Sequence, residues 1–74
     1  MEKEDIYIVI RRNKRARDRN LKLNNRGLTS LPQVLFSLKH LENLDISNNK
    51  LQLLGNNLTK MSKLRQIDLS NNKL

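Results

Sequence analysis

The sequence predicts an α/β fold: a short right-handed solenoid of about three parallel strands with helical or 3₁₀ return segments, preceded by an N-terminal capping helix. Three observations predict it. The string Leu41-Glu42-Asn43-Leu44-Asp45-Ile46-Ser47-Asn48-Asn49-Lys50-Leu51 returns 23 residues later as Leu64-Arg65-Gln66-Ile67-Asp68-Leu69-Ser70-Asn71-Asn72-Lys73-Leu74. It also stands 23 residues earlier in weaker form, with Leu21, Leu23 and Leu28 in the places of Leu44, Ile46 and Leu51. Within each copy the apolar residues fit neither a helical stripe nor a plain strand alternation. Leu44 and Ile46 share one face of a strand by their period of two, while Leu41 and Leu51 reach the same interior from the flanking turns. A fixed period of this length marks a chain that coils, each turn burying its apolar side against the next.

The chain divides into a basic capping segment, residues 1–20, and three repeats over residues 21–74, the third incomplete. In the first part Glu2, Glu4 and Asp5 precede Ile6-Tyr7-Ile8-Val9-Ile10, and Arg11, Arg12, Lys14, Arg15, Arg17 and Arg19 follow. The β-branched run favours a strand by propensity. The order of charge, acids first and bases last, favours a helix through the macrodipole. Ile6, Val9, Ile10 and Asn13 would share one helical face, three of them apolar. A terminal repeat exposes core and needs a cover, which either a helix or an added strand could supply. Asp18 to Asn20 then turn the chain into the first strand.

The pattern LxxLxLxxNxL in residues 41–51 and 64–74 resembles the leucine-rich repeat family, in its intracellular form with a 23-residue period. The resemblance implies a helix rather than a strand as the N-terminal cover, since many intracellular members begin with a short amphipathic helix. It also implies that Asn49 and Asn72 are structural asparagines, buried with their amides satisfying the backbone of the turn after each strand. Arg26 holds that position in the first repeat, where an arginine resists unpaired burial and is expected to reach the outer edge. Gly27 beside it allows a positive φ in the turn. Leu31, Leu35, Leu38 and Leu41 then recur at three to four residues and predict a short helical or 3₁₀ return path, with Pro32 in its first turn. Phe36 is expected in the core or in semi-buried convex packing. In the second repeat Leu54, Leu58, Met61 and Leu64 take the same places, but Gly55 replaces Pro32, so this return path is expected to be less regular. The third repeat reaches only Leu74, leaving Leu64, Ile67, Leu69 and Leu74 as an apolar end and the last strand as an unpaired edge.

Seventy-four residues make one domain at most, near the lower limit for a self-sufficient core. Fifteen Lys and Arg against seven Asp and Glu leave a net charge of +8, which favours attraction to polyanions. There is no cysteine. Extracellular relatives of the resembling family usually carry cysteine-bonded caps, so a cytoplasmic protein is expected, with the nucleus as the alternative. The longest apolar run, Ile6 to Ile10, is too short for a membrane span or a signal peptide.

Little in the composition suggests catalysis. His40 is the single histidine and is expected in a solvent-exposed turn, with no nucleophile or orienting group specified beside it. No His or Cys cluster and no acidic loop of calcium spacing points to a metal, and the two glycines are isolated, so neither metal, cofactor nor enzymatic activity is expected.

Two surfaces remain. The outward strand positions, Asn20, Lys22 and Asn24, then Asn43, Asp45 and Ser47, then Gln66, Asp68 and Ser70, line one side of the stack by their period of two. The resemblance implies that this concave face grips a protein partner, and the Leu31-Pro32 junction resembles cytoplasmic arrays of the Ras-suppressor and Scribble type, whose partners include small GTPases. Solvated strand surface is the plainer reading, since aromatic and arginine anchors are missing from the set. The second surface is the basic patch Arg11, Arg12, Lys14, Arg15, Arg17 and Arg19, six charges in nine residues. It suits nucleic acid, an anionic membrane or an import receptor, or else it is a solubilising face. No interleaved aromatic supports single-strand recognition. Self-association through the open third repeat is a further alternative.

Overall fold

The computed structural model describes residues 4–74, so Glu2, expected among the acids before the helix, lies outside the described residues. Helix α1 spans Ile6–Ala16. Asp5 caps it, its carboxylate accepting the Tyr7 N–H at 2.8 Å, as an N-cap side chain satisfies a free first-turn donor. It ends where Arg17 turns left-handed at φ 54° and donates its N–H to the Asn13 carbonyl at 2.7 Å. Ile10 and Asn13 are buried, and Ile6 and Val9 pack against the core at their edges. The strand preference of the Ile-rich run is overridden because a helix turns all four toward the open side of the first repeat.

Three short strands follow, β1 (Asn20–Lys22), β2 (Asn43–Asp45) and β3 (Gln66–Asp68), forming one parallel sheet in that order. Asn20 lies in register with Asn43 and Gln66, Leu21 with Leu44 and Ile67, Lys22 with Asp45 and Asp68. The register equals the sequence period, so each row across the sheet is one position of the repeat. Backbone pairing runs on past the strands: Leu23 N–H reaches the Asp45 carbonyl at 2.7 Å, and Ile46 N–H the Asp68 carbonyl at 3.0 Å.

The core lies between this sheet and the return paths. Leu21 and Leu44 enter from the strands, Leu23 and Ile46 from just past the strand ends, Leu35, Phe36, Leu38, Leu41, Leu51 and Met61 from the turns, and Ile10 from α1. The first return path is a 3₁₀ turn, Gln33–Ser37. Pro32 stands just before it in extended conformation rather than inside its first turn. Its carbonyl accepts the Leu35 N–H at 3.1 Å, so the proline opens the turn without occupying it. The second 3₁₀ turn, Asn57–Lys60, is one residue shorter and contains no buried residue. Gly55, at φ 72°, gives it none of the rigidity that Pro32 gives the first.

Burial falls toward β3, whose three residues are all exposed. Ile67 is 38% exposed where its register partner Leu44 is 2% exposed, because no further turn lies against it.

Candidate functional site

Three sets of side chains are expected to carry structure and function: the asparagines at the corners, the polar rows on the sheet and the cations of the cap. Asn49 is buried, and its Nδ2 donates to the carbonyls of Leu23, Ile46 and Ser47 at 3.0, 2.9 and 3.2 Å. Its Oδ1 accepts the N–H groups of Arg26 and Leu28 at 3.0 and 3.1 Å. One amide thus closes its own turn and fastens the turn before it. Asn72 repeats the arrangement one level on, donating to Ile46, Leu69 and Ser70 carbonyls and accepting the Leu51 N–H at 3.1 Å. Each asparagine reaches back to the preceding repeat, so the first repeat has nothing behind it to fasten. Arg26 is tolerated there for that reason. Its guanidinium turns toward the cap and donates to the Glu4 carbonyl at 2.7 Å.

A second asparagine column sits beside this one. Asn25, Asn48 and Asn71 adopt left-handed φ of 56°, 56° and 57°, a conformation that asparagine tolerates better than other side-chain-bearing residues. Their 23-residue spacing is plain in the sequence, but apolar patterning does not single them out.

On the sheet, Asn20, Lys22, Asn43, Asp45, Gln66 and Asp68 line a shallow open trough over Leu21 and Leu44. Asn43 Nδ2 donates to Asn20 Oδ1 at 2.6 Å, an amide rung across two strands. Asp45 Oδ1 accepts both the N–H and the hydroxyl of Ser47, at 2.9 and 2.6 Å. Asp68 does the same for Ser70 at 3.0 and 2.6 Å, and these bonds hold its carboxyl below the usual carboxylate value. The aspartates therefore stiffen the start of each turn as well as facing outward. Ser47 is buried, so its expected place on the open face is corrected: its hydroxyl is turned to Asp45 and covered by the adjacent turn. Ser70 remains exposed, and Asn24 is half-buried and does not line the trough. Lys22 and Gln66 make no side-chain hydrogen bond to another described residue.

The leucine-rich repeat family model matches residues 19–74, the whole solenoid from the end of the cap. The chain belongs to the leucine-rich repeat family. A leucine-rich repeat protein of Leptospira interrogans shares the fold with a TM-score of 0.77 and 29% sequence identity; the match covers 100% of this chain and 19% of that one. The chain thus spans about a fifth of the length of that protein. No curated protein is matched significantly. The family supplies scaffolds that are typically non-enzymatic and bind other proteins, which agrees with the coarse functional reading of the repeats.

The cap of this leucine-rich repeat unit carries the third set. The helical residues Arg11, Arg12, Lys14 and Arg15 are exposed, as are Arg17 and Arg19 beyond the helix. They do not form one patch. Arg12 pairs with Glu4 at 2.6 Å, which lowers the Glu4 pKa and raises that of Arg12. Arg19 Nε lies 3.4 Å from Glu42, and Arg17 occupies the left-handed C-cap. Arg11, Lys14 and Arg15 are left pointing outward.

His40 is partly buried rather than solvent-exposed, its Nε2 lying 2.8 Å from Asn13 Oδ1. The same Asn13 donates from Nδ2 to the carbonyls of Asp18 and Asn20 at 3.2 and 3.0 Å. Asn13 thus does for the cap what Asn49 does for the second repeat. A polar residue on an otherwise apolar helix face was the signal for it. Asn13→Ala should leave the turn carbonyls and the imidazole without their partner, at about 1–3 kcal/mol. A thermal melt should show that loss, and His40→Ala should lose less, because it removes one of the three bonds.

Proposed function

We propose that this leucine-rich repeat unit is a non-catalytic protein-interaction module that takes its partner across the concave face of β1, β2 and β3. The observation that carries the reading is the register of the sheet. It sets Asn20, Asn43 and Gln66 in one row and Lys22, Asp45 and Asp68 in the next, so donors and acceptors of both charges stand on a pre-formed surface. Such a surface loses little conformational freedom on binding, which favours recognition by polar groups that would otherwise be costly to order. The alternative assignment to the basic segment lacks a single continuous patch, because two of its arginines are paired to acids.

The structure also directs the choice of variants. Reversing Asp45 or Asp68 would remove the bonds to Ser47 and Ser70 and disturb the turns, confounding a loss of binding with a loss of fold. Lys22→Glu and Gln66→Arg change exposed side chains that hold no turn. Affinity capture with the folded double variant should lose the partner recovered by the unaltered chain. Undiminished recovery of that partner by the double variant would rule out the concave face.

A further inference from the structure

The outward side of α1 combines two features that the repeats do not use. Its inward side is occupied by Ile6, Val9, Ile10 and Asn13. On the opposite side Tyr7 and Ile8 are 55% and 50% exposed, an unusual solvent position for two large apolar groups on one helix. Arg11 and Arg15 flank Ile8 on the same surface, at the three- and seven-residue spacings that bring helical side chains onto one face. A groove between α1 and the first 3₁₀ turn joins Tyr7 to Val34, itself 45% exposed, with Arg11 and Lys14 at its rim. The result is an apolar strip bordered by cations.

We propose that this face of α1 is a peripheral docking surface for an anionic lipid bilayer. Ile8, Tyr7 and Val34 enter the headgroup–acyl boundary, and Arg11, Lys14 and Arg15 lie against the lipid phosphates. The pairing of features is the argument. Cations bring the protein to a negative surface within a Debye length, and apolar side chains on the same face then gain by leaving water. A tyrosine suits the interface because its ring is apolar and its hydroxyl stays wet. Nucleic acid would use the same cations but would give Ile8 and Val34 nothing to enter, so charge alone would govern it. The contact is peripheral, for among the described residues no helix is long and apolar enough to cross a membrane. It also leaves the sheet free, because Val34, the one repeat residue in the contact, belongs to a return path and the core lies between the return paths and the sheet.

The test is co-sedimentation of the 74-residue chain with vesicles of phosphatidylcholine alone and of phosphatidylcholine containing roughly a third phosphatidylserine. Binding is expected only to the second, and it should weaken with salt. Arg11→Gln, Lys14→Gln and Arg15→Gln together should reduce partitioning on the order of a hundredfold, about fivefold for each charge near the surface. Ile8→Ser should reduce it roughly tenfold with no change in charge. Lys50→Gln, Lys63→Gln and Lys73→Gln remove the same charge from exposed positions in the second and third repeats and should leave binding unchanged. Tyr7→Trp should show a blue-shifted emission on the anionic vesicles. All these positions are exposed, and circular dichroism of each variant confirms that the fold is kept. Absence of binding to anionic vesicles at low salt would overturn the proposal. So would an Ile8→Ser variant that binds like the unaltered chain while both bind duplex DNA equally well, since the cations would then serve any polyanion.

Discussion

Asn49→Ala should lower stability by about 3 kcal/mol, more than any other single exchange of a polar residue in the repeats. The side chain is buried and makes five hydrogen bonds to backbone, two of them accepted from the first repeat and three donated to turn carbonyls. Alanine supplies neither function, and water reaches the stranded groups poorly. For a chain of this length the change corresponds to a fall in Tm of roughly 10–20 °C. Asn72→Ala is the internal control. Its amide is half-exposed and accepts one N–H, so its loss should cost clearly less. Thermal denaturation of the two variants side by side checks the order. Equal losses would mean that the deeper burial of Asn49 and its second accepted N–H contribute nothing.

Leu44→Ala should cost about 2–5 kcal/mol, whereas Ile67→Ala, at the register-equivalent position, should cost less than about 1 kcal/mol. Leu44 is 2% exposed between two neighbouring turns, and Ile67 is 38% exposed with a turn on one side only. The same position of the repeat therefore carries different energies according to its neighbours, as expected where stability is a sum of nearest-neighbour interfaces. A domain this small has only a few kcal/mol in hand, so Leu44→Ala should leave much of the chain unfolded at room temperature. Urea titration followed by circular dichroism measures both.

The repeat was legible because its physics is local and recurs. Leu44 and Ile46 at a spacing of two, with leucines on either side, specify a strand between two turns, and the 23-residue recurrence specifies the stacking. Recurrence marks Asn49 and Asn72 as equivalent positions, but their buried role was implied by the resemblance to leucine-rich repeats rather than by the spacing. The helix at the start was legible from charge order and from the face shared by Ile6, Val9, Ile10 and Asn13. What escaped is the set of contacts that occur once. The bond between Asn13 and His40 joins residues 27 apart across the cap boundary, where no repeated spacing announces it. Burial of Ser47 escaped because alternation assigns faces without counting neighbours. Ser70 makes the same bonds to Asp68 one level on and stays exposed, so stacking between turns covers Ser47, not its bond to Asp45. The polar rows are the least legible part of all. Their residues could be placed on a face from sequence, but their pairings, which decide which groups are left for a partner, required the coordinates.

The central claim is that three turns stack in register and that Asn49 pins the second to the first. Exchange of the Asn49 side-chain amide protons with deuterated solvent tests it most directly. The account predicts that they are protected by orders of magnitude relative to those of the exposed Asn56, and that they exchange together with the backbone N–H groups of Leu23 and Ile46. Asn49 amide protons exchanging as fast as those of Asn56 in the folded chain would contradict it.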